Sequence, residues 1–231
     1  MEISSKKNFE IKKLTTFKIG GKIEEVFFPK NVEEIVYLLE KYPDIPVFGN
    51  LSDTLISTSG YSGKIILTTE MKEIKIEGTK VSADCGVKGP KLSQEVCKAG
   101  LSGLEFMIGF PGSIGGEVYM NASAHGQCIS DCITSVLCYS RKIGLVTFEK
   151  DRMGFDYRTS RCEKDDLIVL KAEFELTPKN SDEIKKQMDE IDKKRIRAIC
   201  ENEPKDENTT WLEYYNSMIT ELRNRLSQLI K

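Results

Sequence analysis

An α+β fold is predicted, from three features of the sequence. Short apolar strands and amphipathic helices mix without the regular strand–helix alternation of a doubly wound sheet. Clusters of glycine, proline and small polar residues punctuate them at short intervals. Of the 231 residues, 39% are hydrophobic and 30% charged, which suits a globular chain with a real core rather than a disordered one. That length accommodates one large domain or two small ones.

Residues 1–13 read as a charged lead-in without pattern. Thr15–Gly21 reads as a short strand ending in a glycine turn, and Val26–Pro29 as a second strand. Asn31 is a good N-cap, and Val32, Ile35, Val36 and Leu39 follow at helical spacing until Pro43. Ile45–Phe48 predicts a buried strand, Tyr61–Gly63 a turn, and Lys64–Thr68 another strand. Residues 73–77 alternate strictly and face Lys80–Cys85 across Gly78-Thr79, a hairpin pattern. Pro90 suits the first turn of a helix that Gly100 closes. Ile133–Tyr139, Leu145–Phe148 and Leu167–Leu176 read as strands. Ser181 caps a helix with Ile184, Met188 and Ile191 inward and its lysines on a solvated face. After a polar linker at 201–208, Leu212, Tyr215, Ile219, Leu222, Leu226 and Leu229 form a heptad seam. Two uses fit that seam: packing on its own domain, or a homodimer or partner contact through residues 210–230.

Charge and cysteine usage narrow the function. Lys and Arg number 34 against 36 Asp and Glu, so the electrostatic basis for binding nucleic acid or an anionic membrane is missing. No apolar run reaches spanning length and the N-terminus has no signal core, which predicts a cytoplasmic protein. Seven cysteines without a Cys-x-x-Cys and a single histidine, His125, argue against a zinc site and for reduced, mostly buried thiols.

Two stretches carry chemistry. Residues 109–116 read Gly-Phe-Pro-Gly-Ser-Ile-Gly-Gly, a glycine spacing that is neither the Gly-x-Gly-x-x-Gly fingerprint nor a Walker loop. Successive amides in such a loop form a concave anion nest, and a tight structural turn is the equal alternative. Gly49-Asn50-Leu51-Ser52-Asp53-Thr54 follows a buried strand with a run of small polar side chains, which either contact a ligand or satisfy a turn.

Together with Thr16–Gly21, Gly103–Asp131 and Asp156-Tyr157-Arg158-Thr159-Ser160, these stretches resemble the UDP-N-acetylmuramate dehydrogenase family, also called UDP-N-acetylenolpyruvoylglucosamine reductases. The resemblance runs from about Leu14 to Arg197. It implies a two-lobed FAD-binding fold of the vanillyl-alcohol-oxidase type, with lobes at 14–69 and 70–178 and C-terminal helices at 181–231. It implies FAD as cofactor, held by Gly49, Asn50, Leu51, Ser52, Asp53 and Thr54 and by Pro111, Gly112, Ser113, Gly115, Gly116, Asn121, Ala122 and His125. A loop histidine without that role is the alternative for His125. NADPH as reductant, a UDP-sugar as substrate and peptidoglycan precursor synthesis as the process are implied in the same way. So is a catalytic pair, Tyr157 and Arg158, in which the guanidinium polarises the substrate carboxylate.

Departures from the family pattern set two further expectations. Leu51 and Asp53 replace a glycine and an asparagine, so Leu51 restricts the backbone if φ is positive there, and Asp53 opposes a diphosphate. Nothing after Arg197 matches the family's proton-donating Ser or Cys or its later Glu, so a substrate domain is expected to be missing. Two functions stand: a reductase of this family that is truncated or takes the missing groups from a partner, or a flavin-binding redox protein without the family reaction.

Overall fold

Every strand and helix described below comes from a computed structural model that describes residues 2–201. The first sheet has the order β1-β2-β4-β3, formed by Ser5–Glu10, Lys22–Phe27, Tyr61–Leu67 and Val47–Phe48 respectively. β1 runs antiparallel to β2, whereas β2 and β3 both pair parallel to β4. α1, Val32–Lys41, makes the crossover, and the Asn31 side chain accepts from the Glu34 amide at 2.9 Å. That bond satisfies one of the helix's orphan donors.

The second sheet begins with the hairpin of β5, Ile74–Glu77, and β6, Lys80–Asp84. α2, Gly89–Lys98, then leads through the short β7, Leu101–Ser102, to α3, Ile114–Tyr119. A small hairpin, β8 (Ser123–Ala124) with β9 (Gln127–Cys128), follows. The long strands are β10, Ile133–Ser140, β11, Gly144–Glu149, and β12, Leu167–Glu175, with α4, Arg161–Lys164, between the last two. The resulting order β11-β10-β12-β6-β5 is antiparallel throughout. β13, Thr177–Pro178, pairs with β7 before α5, Ser181–Glu201. One hydrophobic core serves both sheets: Phe27, Ile35, Leu39 and Ile66 from the first meet Val81, Phe106, Val136 and Phe174 from the second.

Four expectations are corrected. The charged lead-in is an edge strand, because β2 supplies its hydrogen-bonding partner and Phe9 packs edge-on against Phe28 at 6.0 Å. Ile11–Lys13 form a short 3-10 turn with Ile11 fully buried, followed by turns and irregular backbone in place of a strand at Thr15–Gly21. Tyr61–Gly63 opens β4 rather than making a turn, since β2 accepts it in register from Ile23 to Tyr61. The α5 cap is Asn180, whose Oδ1 accepts from the Asp182 amide at 2.8 Å, one residue before the expected Ser181. Ile184, Met188 and Ile191 are buried as their spacing predicts. The heptad segment 210–230 lies outside the described residues. Cys85, Cys97, Cys128, Cys132, Cys138 and Cys162 are free thiols, and no described helix is long and apolar enough to cross a membrane.

Candidate functional site

A single side-chain bond joins the two glycine-bearing loops. Asn50 Nδ2 donates to the Pro111 carbonyl at 2.6 Å, across 61 positions of sequence. The Pro111–Gly116 loop is pinned from below, where the Ile114 and Gly115 amides donate to the carbonyls of Val87 and Cys85, each at 2.8 Å. Gly49 passes so close to Ser113 that a Cβ on it would collide with the serine hydroxyl. A side chain at that crossing would have to displace the hydroxyl, and glycine avoids this.

Between and beside these loops lies a groove with two arms. One, of about 560 Å³, is lined by Pro46, Phe48, Thr68, Arg141 and Ile168 among others. The other, of about 450 Å³, is lined by Asn50, Pro111, Gly112, Glu117, Met120 and Arg158 among others. Gly49, Asp53, Thr54, Ser113 and Gly116 line both. Arg141 braces the first arm: its Nη2 donates to the Ile45 carbonyl at 2.9 Å and its Nη1 to that of Pro43. Cys85, in the floor of that arm, is a buried thiol whose burial pushes its titration up to about 12, so it stays protonated.

The loop after β3 presents its backbone to the groove. Among the described residues, no amide from Asn50 to Asp53 donates to a protein acceptor, and Ser52 and Asp53 form a turn. Four consecutive unpaired donors beside a groove suit an anionic ligand. Leu51 does adopt the left-handed conformation, with φ of 54°. A leucine there costs on the order of 1 kcal/mol. Its side chain is 3% exposed and packs with Ile11, Ile23, Val26, Ile65 and Leu67, which offsets that strain. Replacing Leu51 with glycine relieves the strain but empties the pocket, so a net destabilisation of about 2 kcal/mol is expected in chemical denaturation. A stabilised variant would contradict this balance. Asp53 is exposed at the groove, where water screens its charge.

The remaining predicted residues fall into two groups. Arg158 lines the groove from a tight turn between Asp156 and Thr159, at φ of 56°. Tyr157, its neighbour, is 85% exposed and does not line the groove. Ala122 is at the groove, whereas Asn121 is buried beside it and braces the Arg158 turn. Asn121 Nδ2 donates to the Asp156 carbonyl at 3.0 Å, and Ser160 Oγ donates to the Tyr119 carbonyl at 2.8 Å. His125 sits at the exposed tip of the β8–β9 hairpin with Gly126, both at positive φ, and is not among the groove-lining residues. The two-residue turn explains its placement.

Among the groove residues that the sequence did not single out, Glu117 differs most from its surroundings. Glu117 is 4% exposed, with neither carboxyl oxygen hydrogen-bonded, and burial raises its titration to about 8. Gly89 at the start of α2 lies against the carboxyl, and a helix N-terminus favours negative charge. No amide there donates to it, so the desolvation effect wins. The signal was present in the sequence: Ile114 and Val118 mark the inward face of α3, and Glu117 shares it at helical spacing.

Comparison with known proteins follows the same lines. Residues 23–144 match the family of FAD binding domains. The UDP-N-acetylenolpyruvoylglucosamine reductase of Caldicellulosiruptor saccharolyticus is 37% identical over 180 residues, covering 76% of this chain and 58% of that protein. The crystal structure of the corresponding reductase from Thermus caldophilus aligns with a TM-score of 0.70 and 28% identity, over 85% of this chain and 70% of that one. Cholesterol oxidase from Brevibacterium sterolicum shares the fold at a TM-score of 0.55 and 16% identity, over 77% and 38% of the two chains. The chain thus spans 58% of the length of the Caldicellulosiruptor relative. It belongs to the FAD-binding domain family, and over most of its length it resembles the UDP-N-acetylenolpyruvoylglucosamine reductases.

Proposed function

We propose that this protein binds FAD in the two-armed groove and serves a reductase reaction of the UDP-N-acetylenolpyruvoylglucosamine type. The observation that carries this reading is the Asn50–Pro111 bond, which makes one groove of two glycine loops. The residues present fit the cofactor. The unpaired amides of residues 50–53 offer donors to a diphosphate, and the crossing at Gly49 leaves no side chain in its way. Gly112, Ser113 and Gly116 line the opposing wall. Phe48, Pro46 and Ile168 give the first arm apolar surface against which a flat ring system rests.

FAD, when bound, supplies a ring system that takes up and releases an electron pair. The chain's own residues supply position. Arg158, held over the second arm by the braced turn, offers a planar, permanently charged guanidinium to a carboxylate. An enolpyruvyl carboxylate on a UDP-sugar is the substrate group that suits it, with NADPH as the reductant. Tyr157 beside it stands open to a substrate or a covering partner.

Purified protein is expected to be yellow and to release FAD on denaturation. A colourless protein that does not take up added FAD would sink the reading. Bleaching by NADPH in stopped flow, followed by reoxidation only when the enolpyruvyl sugar nucleotide is added, identifies the reductase. Bleaching without substrate-dependent reoxidation identifies a flavin-binding redox protein instead.

A further inference from the structure

Glu117 is out of place in a groove built for an anion. Its carboxyl lies between Gly89 of α2 and Gly112 of the loop; a Cβ on Gly89 would come within 2.5 Å of Oε1, and one on Gly112 within 3.2 Å. Both oxygens are buried and unpartnered, in the same arm that Gly112, Ser113 and Gly116 line. The charged side chains lining that arm are Asp53 and Arg158, while Lys88 precedes Gly89, and Tyr119 and Cys85 are the titratable groups nearest along α3 and beneath Gly115. None of them contributes to its titration, whose sole cause is burial.

We propose that Glu117 is an affinity-determining residue of the diphosphate site: it stands beneath the loop as an uncharged acid, and FAD binds that protonated form in preference to the carboxylate. The inference rests on the FAD placement proposed above. A carboxylate whose oxygens are shut off from water repels a neighbouring diphosphate strongly, whereas a neutral carboxyl adds no charge and carries a proton it can donate. Binding and protonation are therefore linked, and each favours the other by the same factor. With a midpoint of about 8, the acid is essentially neutral below pH 7, and the affinity falls as pH rises beyond that. The other charged residues of the arm differ in kind, because neither Asp53 nor Arg158 has a buried polar atom without a partner.

The test is titration calorimetry of FAD into the FAD-free full chain. Between about pH 7 and about pH 9 the wild type is expected to bind roughly tenfold more weakly, and Glu117→Gln to bind equally well at both. At about pH 8, in buffers of different ionisation enthalpy, the wild type is expected to take up roughly half a proton per FAD. Proton uptake is read on the unmodified protein, so a poorly folding variant does not obscure it. Binding of FAD without proton uptake, or the same pH slope in both proteins, overturns the role of Glu117 and leaves the cofactor site standing. No FAD binding at any pH overturns the cofactor site and this inference together.

Discussion

Replacing Gly116 with leucine is expected to weaken FAD binding by at least about 100-fold, or roughly 2.7 kcal/mol, while the protein stays folded. A Cβ on Gly116 meets nothing closer than Ser113 Oγ at 4.0 Å, and the residue lines both arms of the groove. Helical side chains lean toward the N-terminus, so the leucine would lie over the Gly112–Ser113 turn, where we propose that the diphosphate binds. Leucine also has the better helix propensity, by up to about 1 kcal/mol, so the fold does not suffer. Gly115 is the contrasting control. Its Cβ would stand 2.9 Å from Cys85 Cβ, against the strand connection that pins the loop. Gly115→Ala is expected to lose about 1–3 kcal/mol of stability by overpacking. Flavin fluorescence quenching and thermal unfolding, measured on both variants, separate the two effects. A Gly116→Leu protein that binds FAD normally places the diphosphate elsewhere.

Glu117→Gln is expected to stabilise the FAD-free protein, and by an amount that grows with pH. Burial raises the folded-state titration from the ordinary 4.5 to about 8, so between those values the folded chain holds a proton that the unfolded chain has released. Stability therefore falls as pH rises through that window, and the loss is complete above it. Below 4.5 both states are protonated and the group contributes nothing to the pH dependence. At pH 7 the gain from glutamine is on the order of 3 kcal/mol, and near pH 4 it vanishes. Urea denaturation of both proteins across this range checks it. Parallel stability profiles would show that Glu117 is ionised in the folded state and finds a partner there.

The elements legible in the sequence are those whose causes are local. α1 announces itself through the Asn31 cap and four apolar residues on one face, and the Asn31–Glu34 bond forms as that pattern requires. The β5–β6 hairpin follows from strict alternation around Gly78, which takes the positive φ its turn needs. β1 was illegible for the opposite reason. Its residues alternate no apolar pattern, and what makes them a strand is β2 alongside and the contact of Phe9 with Phe28. Tyr61–Gly63 is similar: its composition reads as a turn, and parallel pairing to β2 overrides it.

The same division holds at the site. The glycine spacing at 109–116 and the polar run at 49–54 are covalent facts, and with the Asp156–Ser160 motif they were sufficient to identify an FAD-binding chain. That Leu51 tolerates a left-handed backbone, that Asn121 braces a turn instead of lining the groove, and that His125 belongs to a hairpin tip were decided by packing between distant segments. The meaning of Glu117 was decided there as well. A glutamate on a short helix is ordinary until α2 and the Pro111–Gly116 loop close over it, because only the loss of water changes which of its protonation states is stable. Legible along the chain are the α+β class and the two glycine-bearing loops proposed to meet the cofactor. The tertiary structure alone decided which of their side chains face the groove and in what charge state, since desolvation and close approach are properties of neighbours that are far apart along the chain.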